Sequence, residues 1–155
     1  MIPKDILCCF WDLESTGLRV TLDNIIQIGC TCRLFISNGK NRRRLFDYIR
    51  DGVEHDYTRY VKTGSRIPTE ISNLTGITNR LLDDKGTSLR HALDDWENWI
   101  HSLLRKCPRP TLTEVWFIAH NGNQFDLPLL FYQEMTLLKQ QPGTFLKQVS
   151  LHVPM

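Results

Sequence analysis

The chain has 155 residues, 41% of them apolar and 23% charged, and a formal net charge of +2. That length suits one domain over residues 1–155 with an ordinary core, and the composition excludes a fibrous or low-complexity chain. No apolar run approaches the roughly 20 residues that span a bilayer, and no signal-peptide pattern opens the chain, so we expect no membrane partner and an intracellular setting, cytoplasm or nucleus.

The first predicted strand covers residues 6–13, where the apolar run Ile6 to Trp11 ends on Asp12-Leu13-Glu14. Side chains alternate faces along a strand, so Asp12 and Glu14 point the same way. Two adjacent carboxylates repel each other, and a hard divalent cation with oxygen ligands relieves the repulsion. The small residues Ser15, Thr16 and Gly17 let a backbone or ligand approach the strand end.

Residues 24–36 predict a second strand, followed by an Asn38-Gly39 hairpin signal and a third strand over Leu45 to Ile49. The basic run Lys40 to Arg44 reads first as a solvated hairpin tip and second as a phosphate contact or nuclear-targeting patch. Residues 50–66 show no periodicity and predict a loop. Two short helices follow, Thr69–Leu74 and Thr78–Leu82, broken at Gly76, with Thr78 as a cap. The strongest helix signal runs from Ser88 to Arg105, with apolar residues every three to four positions and Trp96 and Trp99 on the core side. Ser88 caps it, and Cys107-Pro108-Arg109-Pro110 stops it. A further strand is expected over Glu114–Ala119, then a helix from about Asn123 to Gln140. The tail from Thr144 predicts one more strand. The five cysteines, at 8, 9, 30, 32 and 107, lack Cys-x-x-Cys spacing and read as buried reduced thiols.

Two stretches carry a resemblance. Asp12-Leu13-Glu14-Ser15-Thr16-Gly17-Leu18 and Ala119-His120-Asn121-Gly122-Asn123-Gln124-Phe125-Asp126-Leu127-Pro128-Leu129-Leu130 resemble the first and second motifs of the DEDD 3′→5′ exonucleases. Asn24 to Gly29 and Ile67-Pro68 with Leu74 to Thr78 match the family's intervening segments in order. The resemblance implies an α/β, ribonuclease-H-like fold. Its central sheet is mixed, its first three strands are antiparallel, helices lie on both faces, and its C-terminal part is abbreviated.

The same resemblance implies a 3′→5′ exonuclease using two Mg²⁺ or Mn²⁺ ions, with DNA ranked ahead of RNA. Asp12 would bridge the ions, Glu14 would bind one and help place the attacking water, and Asp126 would hold the second. Ser15, Thr16 and Leu18 would line the terminal-nucleotide pocket, with Leu18 wedged against the last base and Asn121 on the strand. The partner implied is a single-stranded 3′ end, recognised by stacking and backbone contacts. His120 is expected to be structural.

The family pattern also asks for His-x-x-x-x-Asp on a later helix, its Asp on metal and its His as general base. Only 29 residues follow Asp126, none of them Asp, and His152 is their single histidine. Three readings stay open: a fragment of a longer nuclease, a shortened variant that uses a substitute base or takes the missing motif from a further domain or partner chain, and a weak or inactive module of the same fold that binds nucleic acid or protein.

Overall fold

The computed structural model describes residues 3–37, 43–46 and 55–151. Strand β1 (Asp5–Ser15) lies between β2 (Ile25–Ser37) and β5 (Thr113–Ile118) in a five-stranded mixed sheet of order β3-β2-β1-β5. β1 pairs antiparallel with β2 and parallel with β5, and β3 (Arg43–Phe46) pairs antiparallel with the far end of β2. The first three strands are antiparallel, as expected. The third begins at Arg43 instead of Leu45, and positions 40–42 and 47–49 lie outside the described residues.

The predicted loop over residues 50–66 needs correction. Asp56–Tyr60 forms β4, antiparallel to β2 from Gln27↔Tyr60 to Thr31↔Asp56. β2 is long enough to take β4 along its first half and β3 along its second.

Leu7, Cys9, Trp11 and Leu13 turn one face of β1 into the main core. Helix α3 (Leu89–Lys106) covers that face and buries Leu89, Ala92, Leu93, Trp96, Ile100, Leu103 and Leu104, one stripe at helical spacing. Ser88 Oγ accepts the His91 N–H at 3.2 Å and caps its start. Trp96 is the hub: its ring stacks on Phe145 at 4.5 Å, meets Phe117 edge-on at 6.0 Å and lies 5.9 Å from Trp11. Truncating such a residue costs about 3–5 kcal/mol. Helices α1 (Thr69–Thr75) and α2 (Asn79–Lys85) enclose a second small cluster of Ile26, Ile67, Ile77 and Leu82. Thr78 caps α2 by accepting the Leu81 N–H, as its sequence predicts.

Helix α4 (Asp126–Thr136) is shorter than expected at both ends, because residues 120–125 are spent in turns. Pro128 falls in its first turn, where a missing N–H is tolerated. The expected C-terminal strand is instead helix α5 (Thr144–Leu151), while His152 lies outside the described residues. Its start is held from α4: Glu134, fully buried, accepts the N–H groups of Gly143 and Phe145, each at 2.7 Å. Phe145 and Val149 then join the main core beside Leu129 and Leu130 of α4.

Helices α3, α4 and α5 thus flank the face that carries Trp11. On the opposite face Phe10, Trp116 and Ile118 are 42%, 49% and 38% exposed, so no helix among the described residues covers that part of the sheet. At the other end of β1, buried Asp5 accepts the Ser37 N–H at 2.9 Å and pairs with Arg109 at 2.5 Å, tying three segments together. No helix among the described residues is long and apolar enough to cross a membrane.

Candidate active site

β5 pairs with β1 only from Asp5 to Phe10. Past Phe10, β1 runs on with β2 alone, and that overhang carries Asp12 and Glu14, opposite Gly29 and Gln27. The gap left beside it is filled by the start of α4. Asp126, 3% exposed, accepts the main-chain N–H of Leu13 at 3.0 Å, so the residue between the two strand acids anchors the third. Asp12 is exposed and Glu14 half-buried.

The three carboxyls share one field. Partial desolvation at the strand end raises Asp12, opposed by the Leu13 amide. Burial also raises Glu14, and the charges of Asp12 and Asp126 add to it. Asp126 is raised by burial and by Asp12, against the Leu13 amide and His120. Among the described residues no Lys or Arg pairs with any of the three. Hard oxygen donors with uncompensated charge fit Mg²⁺ or Mn²⁺.

The turn after β1 is tied down internally. The Thr16 N–H donates to Asn24 O at 2.9 Å, and its hydroxyl donates to Asp23 and accepts the Asn24 N–H. Ser15 Oγ donates to Gly17 O. A side chain at Gly17 would put Cβ 2.6 Å from the Asp23 carboxylate, so only glycine lets Asp23 close this loop. Ser15 and Thr16 are buried and their side chains serve the turn, while Leu18 stands out, 83% exposed.

Asn121 adopts a left-handed φ of 57° on the turn between β5 and α4. It lines an open groove of about 530 Å³ with Trp11, Phe117 and Leu146. A neighbouring groove of about 920 Å³ holds Asp12, Phe10, Thr31 and His120. Both touch Trp11, Ile118 and Ala119, so Asn121 and Asp12 lie along one channel. Glu14, Asp126 and Leu18 line neither groove.

Two features escaped the sequence. His120 is exposed over the groove of Asp12 and acts on Asp126 electrostatically, a more open position than the structural one expected of it. The apolar face of Phe10 and Ile118 beside Asp12 was also missed. The unbroken apolar run from Ile6 to Trp11, which fills both faces of a strand, was the available signal.

A model of the RNase T family, described as Exonuclease, matches residues 9–152. The DNA polymerase III PolC-type protein of Mycoplasma genitalium is 24% identical over 128 residues, 82% of this chain and 7% of that protein. Escherichia coli exonuclease I in complex with a dT13 oligonucleotide is similar in fold. Its TM-score is 0.54 at 18% identity, covering 90% of this chain and 25% of that one. A product-bound exonuclease I gives 0.55 at 16% identity, over 92% and 28%. The chain therefore spans a small part of each relative. With the acids, their order and the sheet that presents them in place, and the match running through nearly the whole length, this chain belongs to the RNase T exonuclease family.

Proposed function

We propose that this domain is a 3′→5′ exonuclease that hydrolyses phosphodiester bonds at single-stranded 3′ ends, DNA ahead of RNA, with two Mg²⁺ or Mn²⁺ ions. The observation that carries the reading is the bond from Leu13 N–H to Asp126, which unites three uncompensated acids from opposite ends of the chain. Asp12, Glu14 and Asp126 would hold the ions, whose chemistry is to polarise the phosphate and stabilise the attacking and leaving oxygens.

The chain's own residues do the rest. Glu14 orients and accepts a hydrogen bond from the attacking water. Leu18 supplies an apolar wedge for the terminal base, and Ser15 and Thr16 hold the loop that presents it. Asn121 contacts the strand along the groove that adjoins that of Asp12. The E. coli relative's complex with dT13 supports a single-stranded DNA substrate. A further domain or partner chain bearing the general base is part of this proposal, since the PolC-type relative is far longer than this chain. Five buried free cysteines support a reducing, intracellular setting.

A second reading is a module that binds nucleic acid without cutting. It is favoured by the absence, among the described residues, of a fourth carboxylate in the field of the three acids. Digestion of a 5′-labelled single-stranded oligonucleotide with Mn²⁺, beside Asp12→Ala, decides between them. A ladder shortening from the 3′ end, lost in the variant, supports the nuclease. An intact oligonucleotide that stays bound supports the module.

A further inference from the structure

Cys9 on β1 and Cys32 on β2 are direct cross-strand partners, and Cys30 lies two residues from Cys32 on the same face. Their sulfurs converge: Cys9 to Cys32 is 3.1 Å, Cys30 to Cys32 is 4.0 Å, and all three lie within 4.8 Å of one another. The Cys32 N–H is turned away from β1 and donates to His55 O at 2.9 Å. Cys9 and Cys32 are thus a non-hydrogen-bonded pair, the kind in which facing side chains come closest. The cluster sits on the core face of β1, opposite to Asp12 and Glu14, beneath α3.

A second observation bears on what the sulfurs are for. Trp96 Nε1 is buried with no hydrogen-bond partner, in the same core cluster as the three cysteines. Neutral thiols are weak acceptors and leave it unsatisfied; an anionic sulfur would satisfy it. Three sulfurs gathered within 4.8 Å of one another are more than the packing of separate core thiols requires. A Cys9–Cys32 disulfide would account for two sulfurs, and leave Cys30 and Trp96 without a role. A metal ion uses all four groups.

We propose that Cys9, Cys30 and Cys32 form a buried three-thiolate site for a soft monovalent ion, Cu(I). Zn²⁺ asks for a fourth ligand, and no further Asp, Glu or His joins the three among the described residues. Soft sulfur donors select Cu(I). The three thiols give up their protons to solvent as the ion enters. No electron is transferred.

The test is anaerobic titration of the full chain with Cu(I) against the chelator bicinchoninate. We expect one copper retained per chain, thiolate-to-copper absorption in the ultraviolet and a raised Tm. Cys30→Ser should lose the copper, while Cys8→Ser and Cys107→Ser keep it. If Cys30→Ser fails to fold, alkylation mapping of the wild-type chain in mild denaturant serves instead. Copper should then protect Cys9, Cys30 and Cys32 and leave Cys8 and Cys107 reactive. Failure to hold copper against the chelator, unchanged binding by Cys30→Ser, or protection that ignores these three positions overturns the proposal. A Cys9–Cys32 disulfide in protein purified without oxidant also overturns it.

Discussion

Asp126 accepts the main-chain N–H of Leu13 at 3.0 Å, across 113 positions of sequence. That single contact does two jobs. It satisfies an amide that β5 leaves unpaired where its ladder with β1 stops at Phe10, and it seats a third carboxylate beside two others.

The two jobs separate by mutation. Asp126→Asn keeps an oxygen for the Leu13 N–H and should fold with near-native stability, yet lose the Mn²⁺-dependent rise in Tm. Asp126→Ala orphans a buried donor and should cost about 1–3 kcal/mol. Urea unfolding with and without Mn²⁺ measures both; equal stability losses in the two variants would refute the division.

Acidity should show the repulsion directly. Asp12, Glu14 and Asp126 all have raised carboxyl pKa values in the folded chain. A raised acid contributes stability at low pH. That contribution is lost as pH climbs from about 4, the ordinary carboxyl value, through the raised folded value. Glu14→Gln should therefore gain in Tm over wild type as pH rises, in EDTA, and Mn²⁺ should close the gap. Asp23 and Asp95 run the other way, both lowered although burial opposes it, the first by Arg19 and the second by Arg59. They contribute equally to both proteins, so the difference isolates the site. A pH-independent difference counts against this account.

Glu134→Ala removes the acceptor of two amides at the start of α5. About 3 kcal/mol should be lost. Hydrogen exchange should quicken across Thr144–Leu151 before it does in α3. Uniform quickening would mean that α5 has no separate anchor.

Leu18→Ala touches an 83% exposed side chain, so stability should move by less than about 0.5 kcal/mol. If Leu18 wedges the terminal base, affinity for a single-stranded oligonucleotide should drop by about 1 kcal/mol or more. Fluorescence anisotropy reads this, and unchanged binding removes Leu18 from the site.

Much of this fold was legible where local pattern and tertiary environment agree. α3 announces itself by period and cap, and β1, β2 and β5 by apolar runs. β4 stayed hidden because Asp56-Tyr57-Thr58-Arg59-Tyr60 buries only Tyr57 fully; its strand state comes from pairing with β2. α5 was misread because Phe145 and Val149 favour strands locally, whereas their four-residue spacing and the Glu134 anchor favour a helix. The site acids were visible as residue types, but no local rule brings Asp126 to Leu13. Only the family resemblance linked them. The thiol cluster was invisible for the same reason: Cys9 meets Cys32 through strand register.

The distance along the chain between Leu13 and Asp126 has a consequence for the order of assembly. Contacts between remote segments form late, because a long loop must close before they repay its entropy. During synthesis Asp12 and Glu14 emerge early, on a strand whose parallel neighbour is more than a hundred residues away. The acid trio is complete only after α4 has left the ribosome and docked. A nascent chain thus holds its first two acids without the third until the sheet has closed.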